Sequence, residues 1–388
     1  MCKGEGLLLL RKICIALTAA ALCLLPCGCA DSGRDAQESI AGAAVNTEVS
    51  AASDVYVDGL SDNARACIVY CADNSQVLYG HDIHERRAIA SITKIMTALI
   101  CLEYAAANDK AVCITPDMYA EGSSMYLHEG DVIKLSELVK GMLAVSGNDA
   151  ANAAAVAVAG SAEKFAQLMN EKARQLGMKN SHFVTPSGLD SKEHYSSTYD
   201  MALLCSYAME NERFRSFVSQ KSLSAEYISP QGKVQTLSNH NKLLSLCEGC
   251  VGIKTGFTKK AGRTLTSCAE REGVRLITVT LDDGDDWNDH CRLYDKCFSL
   301  VEKVMLCTRG RSISVPLVGG EKESILLVPE RDLYAVIRKD EKEKPEEVLY
   351  APGFIYHPAV SGRKYGKIQF TLGNRVIAQC SLVPEEDR

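Results

Sequence analysis

Hydrophobic residues recur at helical spacing through the middle of the chain. Residues 88–103 contain neither Gly nor Pro, and their apolar positions lie three or four residues apart, which predicts a buried helix. A further helix is predicted at 135–145, and the alanine-rich run 149–160 is predicted to be a fully buried one. The chain is therefore predicted to be mostly helical from residue 88 to about residue 215.

Shorter apolar runs with strand character flank this helical part. Residues 64–70 and 76–79 are predicted to form a hairpin that turns at residues 73–75. Strands are predicted again at 251–256, 262–269 and 274–281. A helix is predicted to follow from about 287 to 307. Because strands both precede and follow the helices, the pattern favours an α+β fold in which one antiparallel sheet is flanked by helices.

From residue 312 onward the pattern changes to short alternating runs separated by turn residues. Strands are predicted at 313–318, 324–328, 333–337, 367–372 and 375–383. A charged stretch at 338–347 interrupts them. Residues 312–384 are therefore predicted to be a small all-β domain that follows a larger domain at residues 56–307.

The first 30 residues have the pattern of an export signal. Three basic residues precede the apolar run 13–25, which is too short for an ordinary membrane-spanning helix but suits a signal-peptide core. Gly28-Cys29 resembles a lipoprotein cleavage site at which Cys29 would be acylated, and ordinary cleavage after Ala30 is the alternative. Residues 31–55, rich in Ala, Ser, Asp and Glu, are predicted to be a flexible tether.

The composition argues against several classes of function. The formal net charge is −6 over 388 residues, and no basic stripe alternates with aromatic residues, so nucleic acid is not an expected partner. A single C-x-x-C pair, Cys247 and Cys250, lacks the second ligand pair of a zinc site, so neither a metal site nor a redox role is predicted for it. Residues 384–388 are acidic and follow no amphipathic helix, so any membrane attachment is expected at the N-terminus.

Three short motifs occur in a fixed order: S-x-x-K at 91–94, S-x-N at 146–148 and K-T-G at 254–256. Each motif is weak alone. Ser161 and Lys164 also satisfy the first pattern, and residues 61–63 satisfy the second, but neither match has its partners in the right order. The complete trio is typical of serine acyl-transfer enzymes that use lysine as a base.

Ser91 and Lys94 are three residues apart at the start of a predicted helix, so their side chains share one face. A serine hydroxyl is a poor nucleophile until a base removes its proton. A lysine amine can be that base if burial and nearby cations lower its pKa. Unpaired N–H groups at a helix start can also stabilise an oxyanion.

The other two motifs supply groups that suit a peptide substrate. Ser146 and Asn148 flank Gly147 in a predicted tight turn, where Ser146 can relay a proton and the Asn148 amide can both donate and accept. The K-T-G motif lies in a predicted strand whose glycines leave its edge open to an extended substrate. Lys254 adds a charge and Thr255 a hydroxyl, which together suit a terminal carboxylate.

Beyond the trio, the chain resembles a known family. Residues 56–305 are similar to the low-molecular-weight penicillin-binding proteins, the serine-type D-alanyl-D-alanine carboxypeptidases of peptidase family S11. The similar blocks are 90–98, 146–151, 194–196, 199–202, 241–244 and 252–258. The resemblance implies a β-lactamase/transpeptidase-like fold and a C-terminal β domain that sets the catalytic domain away from the membrane.

The resemblance also implies a reaction. Ser91 would form the acyl-enzyme, Lys94 would be the general base and Ser146 would shuttle protons. The expected substrate is a peptidoglycan stem peptide ending in D-Ala-D-Ala, from which the terminal D-alanine is removed without a cofactor. β-Lactam antibiotics are expected to acylate the same serine.

The remaining site residues follow from the same likeness. Asn148 would bind the peptide, and Lys254 and Thr255 would hold the terminal carboxylate. Gly256 belongs to the same substrate-binding strand. The backbone N–H groups of Ser91 and Phe257 would form the oxyanion hole.

Two alternatives remain open. One is a class A-like β-lactamase, but residues 185–190 resemble the family's Asn-Pro-x-Gly-Leu-Asp loop, and the Glu-x-x-x-Asn segment with a lactamase's deacylating glutamate is missing there. The other is a non-hydrolytic penicillin-binding sensor, which would acylate and stop. The presence of every proton-handling residue favours turnover.

Overall fold

The computed structural model describes residues 54–385. The predicted export signal with Cys29, and all but the end of the predicted tether at 31–55, lie outside the described residues. So do the last three residues of the acidic run at 384–388.

Helices and strands follow one another along the described chain. The helices are α1 Lys94–Ala107, α2 Leu135–Ala144, α3 Asn148–Ala159, α4 Ala162–Gln175, α5 Thr198–Met209, α6 Glu212–Val218, α7 Leu243–Leu246 and α8 Asp286–Leu300. The strands before α8 are β1 Ala66–Cys71, β2 Gln76–His81, β3 Ala111–Cys113, β4 Val132–Lys134, β5 Ser222–Ser229, β6 Val234–Ser238, β7 Cys250–Thr258, β8 Gly262–Arg271 and β9 Val274–Leu281. The strands after α8 are β10 Val301–Cys307, β11 Ile313–Val318, β12 Ser324–Pro329, β13 Leu333–Arg338, β14 Glu346–Tyr350, β15 Ile355–Tyr356, β16 Gly366–Leu372 and β17 Arg375–Pro384. A 3₁₀ turn, Ala90–Thr93, directly precedes α1.

The central sheet is antiparallel and has the strand order β2-β1-β9-β8-β7. Helices cover both of its faces. Successive side chains of a strand point to opposite faces, so one strand contributes to the core on each side. Ile277 and Val279 of β9 join the core beneath α1 to α5, whereas Leu276 packs with residues of α8. The predicted fold class, an antiparallel sheet flanked by helices, is confirmed.

Two features of this arrangement position the site. Strand β7 is an edge strand, so one side of its backbone remains open to an extended chain. The run 90–107, with a mean hydropathy of 1.3, is 72% buried and therefore has the environment of a core helix. Lys94, the first residue of α1, is fully buried. A lysine at that depth needs hydrogen-bond partners or loses its charge.

The helix predicted from about 287 to 307 is wrong in its last seven residues. Helix α8 ends at Leu300, and Val301–Cys307 is strand β10, which pairs with β13. The partner strand comes much later in the chain, so the local periodicity could not reveal the pairing.

Strands also occur where the sequence predicted mainly helix. β3 and β4, with three residues each, join the hairpin β5–β6 in a second sheet of order β3-β4-β5-β6. Strands of three residues have too few positions to show a period of two.

The chain after α8 consists of strands. β10 pairs with β13, and a larger sheet has the order β14-β16-β17-β12-β11-β15. Its core includes Leu327, Ile368 and Leu382, none of which is exposed. The predicted C-terminal all-β fold is confirmed, although β14 and the two-residue β15 were not predicted.

Candidate active site

Ser91 lies in the 3₁₀ turn before α1 and faces a cleft of about 490 Å³. The cleft brings together side chains from all three sequence motifs. Its lining residues are Ser91, Ser123, Ser146, His240, Thr255, Gly256, Phe257, Arg263, Asp286 and Trp287. The preceding Ala90 has a φ of 48°, a conformation that residues with a Cβ rarely adopt, so the surroundings must hold this turn in place.

His194 is one of the groups that hold the serine turn. Thr93 Oγ1 donates to the backbone oxygen of Ala90 at 2.8 Å and lies 2.7 Å from His194 Nε2. His194 Nδ1 accepts from the backbone N–H of Val184 at 3.1 Å, so Nε2 carries the ring hydrogen and donates it to Thr93. Burial lowers the pKa of His194 to about 4. The ring is therefore neutral and positions the turn without lining the cleft.

Lys94 Nζ lies at hydrogen-bonding distance from three oxygens: Ser91 Oγ at 2.9 Å, Asn148 Oδ1 at 2.7 Å and the backbone oxygen of Ser187 at 2.6 Å. The amide and backbone oxygens can only accept. A neutral amine can donate its two hydrogens to them, which leaves its lone pair for the hydroxyl hydrogen of Ser91. The structure thus brings the sequence-predicted nucleophile and base into direct contact.

The electrostatic environment favours the neutral form of Lys94. Burial lowers the pKa of Lys94 well below its usual range, and the charge of Lys254 lowers it further, while Asp149 acts in the opposite direction. A general base must be unprotonated near the working pH. Both the burial of Lys94 and the approach of the K-T-G strand therefore increase the fraction of Lys94 that is unprotonated.

The S-x-N motif supplies one residue to the cleft and one behind it. Ser146 lines the cleft and has a φ of 59°, so the serine adopts the left-handed conformation, whereas Gly147 does not. Asn148 is 5% exposed, and both sides of its amide are engaged. Its Oδ1 accepts from Lys94, and its Nδ2 donates to the backbone oxygen of Glu121 at 2.6 Å.

Asp149 fixes the loop that faces this motif. Its buried carboxylate accepts hydrogen bonds from Ser124 Oγ at 2.6 Å and from the backbone N–H groups of Met125 at 2.8 Å and Leu127 at 3.2 Å. The same loop brings Ser123 to the cleft. Sequence reasoning missed Ser123, because a lone serine outside a motif carries no signal.

The sequence predicted that Lys254 presents its charge to the substrate, but the K-T-G strand places this side chain in the interior. Lys254 is 1% exposed and does not line the cleft, and its Nζ donates to the backbone oxygen of Thr255 at 2.8 Å. Burial lowers the pKa of Lys254 to about 7. The alternation of β7 explains this placement, since the side chain of Thr255 faces the cleft and that of Lys254 faces the interior.

Gly256 permits β7 to pass close to the serine turn. A Cβ at this position would overlap the hydroxyl of Thr264 and would lie 3.0 Å from the backbone nitrogen of Ser91. Only glycine therefore fits between β8 and the turn. Phe257, the next residue, lines the cleft and is 66% exposed.

The loop at 185–190 supplies a partner to the base that no side-chain motif could predict. Ser187 accepts from Lys94 through its backbone oxygen. Gly188 has a φ of 85°, and a Cβ there would collide with the backbone oxygen of Ala90. The loop is thus packed directly against the serine turn, and one of its backbone oxygens accepts a hydrogen bond from Lys94.

Arg263, Asp286 and Trp287 form a further group in the cleft that sequence reasoning missed. Arg263 Nε donates to Asp286 Oδ2 at 3.1 Å, and Nη2 donates to the other carboxylate oxygen. The guanidinium also lies 5.5 Å from the Trp287 ring centroid. These contacts use two of its five donors, so the partly exposed Arg263 can still present N–H groups to a bound anion.

The geometry combines a serine hydroxyl, a buried amine in contact with it and an open strand edge, which is the arrangement that a serine acyl-transfer site requires. Across residues 54–385, no three His, Cys, Asp or Glu side chains are grouped so that they could hold a metal ion.

Two family models match the chain. Residues 51–285 match the model described as D-alanyl-D-alanine carboxypeptidase, and residues 302–388 match the model described as the C-terminal domain of penicillin-binding protein 5. Among curated relatives, D-alanyl-D-alanine carboxypeptidase DacF of Bacillus subtilis is 30% identical over 343 residues, which cover 84% of this chain and 86% of DacF. D-alanyl-D-alanine carboxypeptidase DacA of Escherichia coli is 29% identical over 338 residues, which cover 83% of this chain and 82% of DacA.

Solved structures show the same relationship. The crystal structure of penicillin-binding protein 5 from Haemophilus influenzae is similar with a TM-score of 0.64 and 25% sequence identity, and the match covers 86% of this chain and 99% of that one. The Streptomyces K15 DD-transpeptidase is similar with a TM-score of 0.60 and 29% identity over 63% of this chain.

Proposed function

The chain belongs to the D-alanyl-D-alanine carboxypeptidase family of penicillin-binding serine hydrolases, and we propose that it performs this reaction through Ser91. Ser91 Oγ attacks the carbonyl carbon between the two terminal D-alanines of a peptidoglycan stem peptide while Lys94 takes the hydroxyl proton. D-Alanine leaves with a proton relayed through Ser146. Water then hydrolyses the ester, which releases the shortened peptide and restores Ser91.

The contact set of Lys94 carries this proposal. Two fixed acceptors, Asn148 Oδ1 and the Ser187 backbone oxygen, orient the amine so that its remaining position points at Ser91 Oγ. Burial and Lys254 keep its pKa low. An oriented, neutral amine beside a serine hydroxyl is what general-base activation requires.

The approach of β7 supports the oxyanion hole. The tetrahedral intermediate carries a negative oxygen that needs preorganised donors. Gly256 brings the strand next to the backbone nitrogen of Ser91, so the N–H groups of Ser91 and Phe257 can serve together as those donors.

We assign the terminal carboxylate of the peptide to the cleft wall at Thr255. The Thr255 hydroxyl and the partly exposed guanidinium of Arg263 face the cleft and can donate to it. Lys254, behind the wall, adds positive potential while it is protonated. Asn148 lies behind the cleft, so we propose that it assists peptide binding indirectly, because its Oδ1 holds Lys94 beside Ser91.

Comparing an acyl-D-Ala-D-Ala peptide with its C-terminal amide tests the function and the carboxylate site together. We expect D-alanine release from the free acid, and a kcat/KM about 10- to 100-fold lower for the amide, because a charge-assisted hydrogen bond is lost.

The preference for the free acid over the amide should weaken as the pH rises through about 7, since Lys254 then loses its charge. Activity itself should fall as the pH drops through the pKa of Lys94, because the base becomes protonated.

Lys254→Ala should shrink the preference for the acid, whereas Lys164→Ala, on the exterior helix α4, should leave it unchanged. An amide that is hydrolysed as fast as the acid would refute the carboxylate assignment.

Adding penicillin to the same protein and following its mass distinguishes a carboxypeptidase from a β-lactamase and from a non-hydrolytic sensor. A long-lived acyl-enzyme accompanied by D-alanine release fits a carboxypeptidase. Rapid penicillin hydrolysis would point to a β-lactamase, and acylation without peptide turnover to a sensor.

We further propose that the protein is exported and attached to the outer face of the membrane through Cys29. The basis is the signal-like sequence of residues 1–30, which lies outside the described structure. Cys29→Ala is expected to shift the protein from the membrane fraction to the medium. A variant that stays membrane-bound, or a wild-type protein already secreted with Asp31 as its first residue, would contradict lipid attachment.

A further inference from the structure

The loop at 185–190 also contacts the end of strand β7. Asp190 Oδ1 accepts a hydrogen bond from the hydroxyl of Thr258, the last residue of β7, at 2.9 Å. The next residue along the chain, Ser191, accepts a second hydrogen bond through its backbone oxygen, from Lys260 Nζ at 3.1 Å. Two hydrogen bonds therefore join this segment to the turn between β7 and β8.

The same loop is fixed on the helix that begins with Lys94. The backbone oxygen of Pro186 accepts from Thr97 Oγ1 of α1 at 2.6 Å, and that of Ser187 accepts from Lys94. Pro186 and Ser187 are buried, whereas Asp190 is exposed. The loop thus has a buried half that packs on α1 and an exposed half that reaches the β7–β8 turn.

The hydroxyl of Thr258 has two hydrogen-bond partners at this turn. It donates to Asp190, and its oxygen accepts from the backbone N–H of Ala261 at 3.0 Å. A threonine hydroxyl has a single hydrogen, so the bond to Asp190 sets its direction and helps to shape the turn. Thr258 also pairs with Gly262 of β8. The end of β7 is therefore held by β8 within the sheet and by Asp190 from the loop.

We propose that Asp190 is a positioning residue for the oxyanion hole, which acts through Thr258 on the backbone N–H of Phe257. This inference rests on the proposed function, in which the N–H groups of Ser91 and Phe257 bind the oxyanion. Phe257 directly precedes Thr258, so a displacement of the β7 end moves its N–H relative to Ser91. Such donors act only while they are preorganised, within about 0.5 Å of the productive geometry.

This role predicts which kinetic constant depends on Asp190. Both acylation and deacylation pass through a tetrahedral intermediate, so a misplaced oxyanion donor lowers kcat and leaves KM nearly unchanged. Displacement of Lys94 would instead change the pH at which acylation becomes fast. Because Asp190 is exposed, the loss of its hydrogen bond should have little effect on stability.

Steady-state kinetics of the full-length protein with an acyl-D-Ala-D-Ala peptide test the proposal. Asp190→Ala and Thr258→Ala are each expected to lower kcat about 10- to 100-fold, with KM within about twofold of the wild type. The double variant should be no slower than either single variant, since all three lack the same hydrogen bond. The Tm should fall by no more than about 4 °C.

Conservative variants separate positioning from a general structural effect. Asp190→Asn keeps an acceptor oxygen and Thr258→Ser keeps a hydroxyl, so each should retain a kcat within about threefold of the wild type. Lys259→Ala, on the same turn, is the matched control and should behave like the wild type. The pH at which acylation by penicillin becomes fast should be the same in all of these variants.

A wild-type kcat in Asp190→Ala, a loss confined to KM, or a changed pH dependence of acylation would overturn the proposal. A Thr258→Ser variant as slow as Thr258→Ala would overturn it as well. If the wild type released no D-alanine, the proposed carboxypeptidase function would fail, and the rate of penicillin acylation would still test the role of Asp190. A rate lowered about 10-fold or more in Asp190→Ala would then support this role, and an unchanged rate would refute it.

Discussion

Ser91→Ala is expected to abolish both covalent labelling by penicillin and D-alanine release, with a fall in kcat of roughly 10⁵- to 10⁶-fold. The reason is that the hydroxyl oxygen of Ser91 forms the covalent bond of the intermediate. Of the three oxygens that hydrogen-bond to Lys94 Nζ, only that of Ser91 is a hydroxyl oxygen. Intact-protein mass spectrometry after incubation with penicillin measures the labelling. The fold should survive, because a hydroxyl that faces a cleft contributes little to stability.

The chain contains a matched control for this substitution. Ser161 begins a second S-x-x-K pattern, but the structure places it at the N-cap of α4, where its hydroxyl accepts from the backbone N–H of Lys164 at 3.2 Å. Ser161→Ala should cost about 1 kcal/mol of stability through the lost cap and leave acylation unchanged. Labelling that persists in Ser91→Ala, or disappears in Ser161→Ala, would move the nucleophile away from Ser91.

Lys94→Arg is expected to lower the acylation rate by about 10²- to 10⁴-fold, the usual contribution of a general base. Arginine keeps a positive charge but remains protonated at any workable pH, so it cannot accept the proton of Ser91. The buried site also fits one amine between Asn148 and Ser187, which a planar guanidinium cannot replace without moving them. The rate of penicillin labelling, followed over a range of pH, measures the effect.

The pH profile separates a base from a structural cation. In the wild type, the rate should rise with pH through the lowered pKa of Lys94, and this step should disappear in Lys94→Arg. Lys164→Arg, in the second S-x-x-K pattern, provides the control and should keep the wild-type profile. Near-normal acylation by Lys94→Arg would mean that another group is the base.

The short sequence motifs predicted which residues meet, because the chemistry of a serine nucleophile limits the residue types that can surround it. Ser91, Ser146, Thr255, Gly256 and Phe257 all line one cleft. The order of the motifs was needed for this result. The isolated S-x-N match at residues 61–63 has a structural role instead, in which Asn63 hydrogen-bonds to the carboxylate of Asp289.

Other parts of the site left no signal in the sequence. The Ser187 contact to Lys94 is made by a backbone oxygen, which any residue possesses. Arg263 lies on strand β8 and Asp286 on helix α8, 23 residues apart in the sequence. A lone arginine and a lone aspartate are common on any surface, so neither could be identified as part of the cleft.

The sequence by itself determined the local elements and the reaction type. Helical and strand periodicity is a property of neighbouring residues, and it located α1 to α3, the central strands and the C-terminal β domain. Periodicity failed for β10, whose partner strand is distant in the sequence, and for β3 and β4, which have only three residues each.

Only the tertiary structure decided the electrostatics of the site. A lysine in a motif has the same formal charge wherever it stands, and its pKa depends on the atoms that surround it in space. Burial at the start of α1 and behind β7 lowers the pKa of both Lys94 and Lys254, and the proximity of the two lowers that of Lys94 further. The motifs thus identified the groups of an acyl-transfer site. The packing of helices on both faces of one sheet buries these two amines, and this desolvation lowers the pKa of Lys94 and of Lys254, which supports the proposed role of Lys94 as the base.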